Sequence, residues 1–175
     1  MAFPKTSGSW ARLSLLLVLA ATSACNYGFR GGGGLPDHIR TIYIAPFENQ
    51  TDKPELDPQL FRALNERLPR ALGLRLAGEQ NADLVVSGRI VRYDDVASSY
   101  RPGQQQSSIN VELQQVSVSL AIQLLDVRDN LVRWESTSLV GRGDYQPNNQ
   151  SDEAARAKAI EQIIQQIVDG AQSQW

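Results

Sequence analysis

The chain has 175 residues, of which 42% are apolar and 21% charged, with one Cys, one His and a formal net charge of −2. A single Cys excludes an internal disulfide and a Cys-rich zinc or iron–sulfur framework, and a single His excludes a metal site built on paired histidines. The near-neutral charge and the 7% aromatic content disfavour a nucleic-acid binder, because such proteins usually carry basic patches and stacking aromatics.

The first 24 residues have the pattern of a signal peptide. Lys5 and Arg12 supply the positive start, an apolar run follows at 13–19, and small residues lead up to Cys25. The run is too short for the ~20 apolar residues that a membrane-spanning helix needs. We therefore expect residues 1–24 to be removed on export.

Cys25 directly follows Ala24, an arrangement that resembles the bacterial lipobox, although Thr22 stands where that motif usually has Leu. We predict that Cys25 carries acyl chains, palmitate among them. The alternative is an ordinary secretory signal with an incidental Cys nearby. The mature chain would have 151 residues, 15 basic and 19 acidic, with a formal net charge of −4.

Residues 25–36 are predicted to be the lipidated N-terminus and a Gly-rich tether. The four glycines at 31–34 precede Leu35-Pro36, whereas a phosphate-binding P-loop needs Gly-Lys-Ser/Thr at the start of a helix. We expect one domain over residues 37–175.

The first half of that domain predicts a strand, a helix and a second strand. Residues 39–47 are rich in β-formers, and a polar loop follows at 48–54. Asp57-Pro58 is a typical helix start, and the helix should either kink or end at Pro69, with Gly73 as a plausible end residue. A short extra strand is possible near 74–77. The strand at 82–93 should place Leu84, Val86 and Ile90 on one face, and on the other Val85, Ser87, Arg89, Val91 and Tyr93.

The second half predicts an antiparallel pair of strands and a final helix. Residues 101–108 are polar and flexible and suggest a long hairpin tip, and 116–124 strictly alternate apolar and polar side chains. A turn at 128–130 leads into a partner strand over 131–140. From Ser151 onward an apolar stripe recurs at helical spacing.

The order β-α-β-β-β-α predicts a two-layer α+β domain. Each helix has one apolar stripe, so both helices should cover the same face of a mixed, mostly antiparallel sheet of four strands.

No residue pattern points to catalysis or to a bound cofactor or metal. His38 lies just before the first strand, and the close carboxylate pairs Asp94-Asp95 and Asp126/Asp129 stand where Asp commonly makes local hydrogen bonds. We therefore expect a protein that is not an enzyme.

Arginine use is the more informative signal, because 13 of the 15 mature basic residues are Arg. The planar guanidinium suits phosphate and carboxylate. Arg89, Arg92 and Arg133 lie on predicted strands, and Arg101 and Arg142 lie near strand ends or loops. They form either ordinary solvated charge or an anion-binding patch on the open side of the sheet.

Three segments resemble the LptE family of lipopolysaccharide-assembly lipoproteins. Residues 25–36 are similar to its opening, with Asn26 in place of Gly, Phe29 in place of Leu and three extra glycines before Leu35-Pro36. Residues 39–51 resemble its first strand and Phe-x-Asn-x-Thr ending, and 82–90 resemble its next segment.

The resemblance implies a lipoprotein anchored by acyl chains at the periplasmic face of the cell outer membrane. Such a protein would sit inside the LptD barrel, bind lipopolysaccharide and assist its assembly at the outer leaflet. Arg89, Arg92 and Arg133 are candidate lipopolysaccharide-binding residues by their chemistry. The alternative is a periplasmic adaptor or pilot lipoprotein for another secretion or envelope-assembly complex.

Overall fold

The computed structural model describes residues 35–102, 109–148 and 150–173. The predicted signal peptide, Cys25, the glycines of the tether and most of the predicted hairpin tip lie outside these residues.

A six-stranded mixed sheet forms one layer of the domain. The strands are β1 (Thr41–Ile44), β2 (Glu48–Asn49), β3 (Arg75–Leu76), β4 (Leu84–Pro102), β5 (Ile109–Asp126) and β6 (Leu131–Tyr145). Their order is β3-β1-β4-β5-β6, and β2 also pairs with β4. The short strands pair in parallel, whereas β4, β5 and β6 form a long antiparallel meander.

The prediction of four strands is wrong because two short strands complete the sheet. Pairing with β4 is interrupted at Pro46 and resumes at β2, inside the predicted polar loop. Ala45 N donates to Val86 O before the break and Gln50 N donates to Ile90 O after it, both at 2.9 Å. The strand β3 lies within the proposed segment 74–77.

Helices α1 (Leu56–Leu72) and α2 (Asp152–Ser173) form the second layer. They contact each other; α1 packs on β1, β2 and β3, and α2 packs on β5 and β6. We call this side of the sheet the covered face and the other side the open face. The α+β class and the two helices on one face are confirmed. No helix within the described residues has the length and apolar character needed to cross a membrane.

The core lies between the helices and the covered face. The alternation predicted over 116–124 is confirmed, because every second residue from Val116 to Leu124 is buried. The α2 stripe is buried against the same layer. The side chains with the least exposure include Ile42, Ile44, Leu60, Leu64, Leu84, Ile90, Leu120, Ile163 and Ile167.

Helix α1 continues past Pro69, so that residue neither ends the helix nor breaks it. Pro69 lies in the last turn, where its own carbonyl accepts a hydrogen bond from Leu74 N at 2.8 Å. Gly73 adopts the left-handed conformation at φ 70°, and its N–H donates to Arg70 O at 3.2 Å. These two bonds are the Schellman arrangement that closes a helix. The helix therefore ends at Leu72, three residues after the proline.

A β-bulge reverses the predicted facing of Tyr93. Ile90 pairs with Leu120 and Arg92 with Ser119, so Val91 is the extra residue. From Arg92 onward the alternation is shifted by one. Tyr93 therefore lies on the covered face, where its hydroxyl contacts Asp152 Oδ2 of α2 at 3.3 Å.

Small residues allow α2 to lie directly on β6. A methyl group at Gly141 would meet the Ala159 carbonyl carbon at 2.7 Å, and one at Gly143 would meet that of Ala155 at 2.8 Å. Two glutamines of α2 also bond the backbone of this edge strand, since Arg142 N donates to Gln162 Oε1 and Gln166 Nε2 donates to Val140 O, each at 2.9 Å. The helix thus covers the second half of the β6 edge, a common protection against unwanted strand pairing.

Candidate functional site

Arg89 and Arg92 lie together on the open face. Arg89 pairs in register with Ala121 and Arg92 with Ser119, on either side of the buried Leu120. Because side chains alternate along a strand, both arginines point away from the helices. Both are exposed, and they occupy adjacent rows of the open face.

Arg142 joins this pair on the next row. Strand β6 runs to Tyr145 and not to Val140, so Arg142 is a strand residue, paired with Ser117. The glycines on either side of it face α2, and the exposed Arg142 side chain faces the open side. Sequence analysis placed Arg142 only near a strand end, because the glycines around it conceal the strand pattern.

Carboxylates accompany these arginines. Arg92 Nε donates to Asp94 Oδ2 at 2.6 Å, which raises the pKa of the Arg92 guanidinium and keeps it charged. Glu48 pairs in register with Arg89, and Glu135 with Gln123. The open face therefore alternates positive and negative groups over a polar, small-residue floor.

A groove of about 350 Å³ crosses this face near Arg89. Its lining combines two carboxylates, one guanidinium and several neutral hydrogen-bonding side chains, and it is more polar than apolar. The lining residues are Glu48, Ser87, Gly88, Arg89, Ala121, Ile122, Gln123, Glu135, Ser136 and Thr137. Hydroxyl, amide and carboxylate groups suit sugar hydroxyls, and the arginine suits a phosphate.

Arg133 lies apart from the open-face arginines. A register shift between Trp134 and Val132 leaves it as an extra residue in β6. Its Nε and Nη2 donate to Asp126 Oδ2 at 2.9 and 2.6 Å, and Nη2 also donates to Asp129. The side chain is only 10% exposed. Its position separates it from the groove that Arg89 lines.

Asp126 is the centre of an ion-pair cluster at the β5–β6 turn. Besides Arg133 it bonds His38 Nε2 at 2.8 Å and accepts the backbone N–H groups of Arg128 and Asp129. Burial by itself raises the pKa of this carboxyl, but the bonds from Arg133, the Asp129 backbone and His38 outweigh it and lower the pKa below the ordinary value. The charged form of Asp126 is thus favoured in the folded protein.

His38, Asp126 and Asp129 have the atoms for a metal site, with ligand atoms within 4.8 Å of one another. Arg133 already donates to both carboxylates and supplies the positive charge that a cation would bring. We therefore assign the cluster a structural role, joining the segment before β1 to the turn.

Two tyrosines, the half-buried Tyr93 and the buried Tyr145, lie toward the other end of the sheet. Burial raises the pKa of Tyr93 and of Tyr145 to about 12. Tyr145 donates to Asp95 Oδ2 at 2.9 Å, and Tyr93 contacts α2 through Asp152. The Tyr145 hydroxyl joins β6 to β4, and the Tyr93 hydroxyl joins β4 to α2.

The sequence matches the family model described as LptE, lipopolysaccharide-assembly, over residues 39–171. The match covers most of the chain, from before β1 to the last turn of α2. The chain belongs to the LptE family. No curated protein sequence matches it.

Several solved structures are similar in fold at low identity. The PelC dodecamer from Paraburkholderia phytofirmans is 18% identical, covering 76% of this chain and 91% of PelC, with a TM-score of 0.47. The hypothetical protein CT253 from Chlamydia trachomatis is 12% identical, covering 77% and 98%, with a TM-score of 0.49. Lipoprotein GNA1162 from Neisseria meningitidis is 13% identical, covering 74% and 99%, with a TM-score of 0.43.

Proposed function

We propose that this protein is an outer-membrane lipoprotein that associates with the LptD barrel and assists lipopolysaccharide assembly. The family match over residues 39–171 carries the proposal. The sequence around Cys25 supports it, because a signal-like segment ends at the only cysteine of the chain. Acyl chains on Cys25 would hold the mature chain at the periplasmic face of the membrane, since several buried acyl chains anchor firmly.

The open face is the surface we assign to the barrel and to lipopolysaccharide. It is polar, and small side chains such as Ser117, Ser119 and Ala121 form its middle strand, so it can approach the polar inner wall of a barrel closely. The helices α1 and α2 stiffen the sheet from the other side. This arrangement suits a plug that must keep its shape inside a lumen.

The open-face arginines are our candidates for contact with lipid A phosphates. Arg89 and Arg92 on β4 and Arg142 on β6 lie on three successive rows of the face, and a guanidinium can donate two parallel hydrogen bonds to a phosphate. The groove beside Arg89 adds Ser87, Gln123 and Glu135 for sugar hydroxyls. Arg133 makes a smaller contribution in this scheme, because its guanidinium is held by Asp126 and Asp129.

Lipopolysaccharide binding by matched arginine variants tests this assignment. We expect R89A/R92A to weaken binding at low salt by about tenfold or more, since a charge-assisted hydrogen bond contributes roughly 1.5–3 kcal/mol. Arg67→Ala is the control, because Arg67 is also exposed and paired with one carboxylate, Glu161 at 2.7 Å, but lies on the helix layer. Equal binding by R89A/R92A and R67A would reject the open face as the lipopolysaccharide surface.

A further inference from the structure

The outer edge of β4 changes its surroundings along the strand. Between Leu84 and Ile90 this edge pairs with β1 and β2, and its last backbone partner is Gln50, whose N–H donates to Ile90 O at 2.9 Å. Strand β4 continues to Pro102, and from Val91 onward it pairs only with β5 within the described residues. A row of backbone donors and acceptors is therefore open on this side of the sheet.

The backbone pairing on both sides of β4 shows which residues face the open edge. The carbonyls of Val86 and Ile90 bond to the chain of the short strands, so even-numbered residues face this edge at the start of β4. Val91 is an extra residue in the ladder and shifts the alternation by one. The even-numbered residues that follow it therefore bond to β5. The odd-numbered residues direct their N–H and C=O groups to the open edge, namely Tyr93, Asp95 and Ala97.

The two outermost strands of the sheet are protected against strand addition, and this part of β4 is not. Strand β3 has only two residues. Strand β6 has two register shifts in its first half, and α2 covers its second half. Between Arg92 and Ala97 the β4 edge has no bulge, Pro or Lys, which are common protections of an edge. This stretch spans about 20 Å, the length of an ordinary strand.

The charged side chains along this edge already have partners. Arg92 Nε donates to Asp94 Oδ2 at 2.6 Å on the open face. Asp95 Oδ2 accepts a hydrogen bond from the Tyr145 hydroxyl at 2.9 Å on the covered face. Charge is a common obstacle to pairing at an edge, and here it is largely compensated within the domain.

We propose that the β4 edge from Arg92 to Ala97 accepts an extended segment of the barrel partner as an added strand. The inference rests on the proposed function, because it takes LptD as the partner. A peptide is the fitting occupant, since only another backbone repeats N–H and C=O groups at strand spacing. Arg92 and Asp94 belong to the open face, so a strand added here would extend the surface that we assign to the barrel.

A second copy of this chain fits the edge less well. Symmetric antiparallel pairing centred on Asp94 or Asp95 would set like carboxylates opposite each other, which destabilises a strand pair. Centring on Tyr93 would bring the second copy's residues beyond 95 onto positions beside Ile90 that β2 already holds. Centring further along would place the bulge at Ser98 within the paired region. A barrel segment has no such symmetry to satisfy.

Single-residue hydrogen exchange of the full mature lipoprotein, free and in its complex with LptD in mild detergent, tests the proposal. The amides of Tyr93, Asp95 and Ala97 should exchange at least about tenfold more slowly in the complex, because an added strand gives them acceptors. The even-numbered amides from 92 to 96 bond to β5 and should be slow in both states. Leu76 is the control: both neighbouring amides donate toward β1, so its own faces the outer edge of β3 and should keep its rate.

Proline at the last of these positions tests the same contact by affinity. Ala97→Pro removes an N–H that faces the open edge and leaves the hydrogen bonds to β5 in place. Ala97→Ser is the matched control, because it keeps that N–H. We expect A97P to bind purified LptD at least about fivefold more weakly than A97S, since the partner's carbonyl loses its donor. Circular dichroism checks folding, and the exchange pattern alone decides if A97P does not fold.

The outcomes separate this inference from the one it rests on. If LptD does not bind the unaltered lipoprotein, the proposed function fails and the inference fails with it. If LptD binds but the three amides keep their free rates, or Leu76 slows as much as they do, the partner is right and strand addition is refuted. Protection that grows with concentration in the free protein would identify a second copy as the occupant and also refute it. Equal affinity of A97P and A97S would contradict it as well.

Discussion

Replacing Gly141 by Ala tests how closely α2 lies on β6. The added methyl group would meet the Ala159 carbonyl carbon at 2.7 Å and a side-chain carbon of Ile163 at 3.0 Å. The obstructing atoms include helix backbone, which cannot rotate aside, so either the helix must move or the strand must bend. Overpacking of this kind costs about 1–3 kcal/mol, and the loss of glycine's freedom in the unfolded chain returns up to about 1 kcal/mol.

We expect G141A to be destabilised by about 2 kcal/mol, with G143A similar because its methyl group would meet the Ala155 backbone. The control is Gly78→Ala. Gly78 has nothing within 4 Å of the new methyl group and an ordinary φ of −75°, so its stability should change by less than about 0.5 kcal/mol.

Urea unfolding of the mature chain in a Cys25→Ser background gives the measurement, followed by circular dichroism and by the fluorescence of Trp134, which packs against Gly170 of α2. The midpoint should fall for G141A with an unchanged slope. If G141A and G78A unfold at the same midpoint, the helix does not rest on the strand backbone as described and the two-layer packing is wrong at this point.

The remaining predictions concern Asp126. D126A should lose about 3–5 kcal/mol in the same unfolding assay, because it leaves the Arg133 guanidinium, 10% exposed, without its buried partner. The acid side of the stability profile should also depend on this residue: its folded pKa lies below the unfolded value near 3.8, so its stabilisation is complete above about pH 5 and is lost as pH falls through the folded pKa. D126N should therefore show a flatter profile below about pH 5 than the unaltered chain.

Two results would contradict this account of Asp126. One is a D126A variant within about 1 kcal/mol of the unaltered chain, which would make the ion-pair cluster dispensable. The other is an equally steep acid limb in D126N, which would assign the acid sensitivity to other carboxylates. Asp83 is the first alternative, since hydrogen bonds from the Arg40 backbone and the Thr41 side chain lower its pKa as well.

Strand β5 and the second helix could be predicted because their residues repeat at the period of the structure. Residues 116–124 alternate without interruption, and the stripe of α2 keeps helical spacing from Ile160 to Ala171, so each pattern allows one buried face. The short strand β2, which lacks such a pattern, could not be predicted from the sequence. Strand β2 has two residues, Glu48 and Asn49, that read as a polar loop and pair only because β4 lies beside them.

The candidate site could be predicted in part. Alternation along β4 correctly placed Arg89 on the face opposite Leu84. Bulges then decide the other positions: the extra residue Val91 turns Tyr93 toward the helices, and a second bulge sets Arg133 beside Asp126. Each bulge depends on how a neighbouring strand pairs, and strand pairing is not encoded in a single segment of sequence. Arg142 was missed as an open-face residue because glycines on both sides hide its strand.

Affinity purification of the intact lipoprotein from its own membranes tests the central claim most directly. The protein is extracted in mild detergent through a C-terminal tag, and the co-purifying partners are identified by mass spectrometry. The account predicts that one large outer-membrane barrel, LptD, co-purifies with the lipoprotein. When Cys25→Ala removes the anchor, the variant should be lost from this membrane complex. Recovery of a secretion pore, or of no barrel protein, would contradict the account.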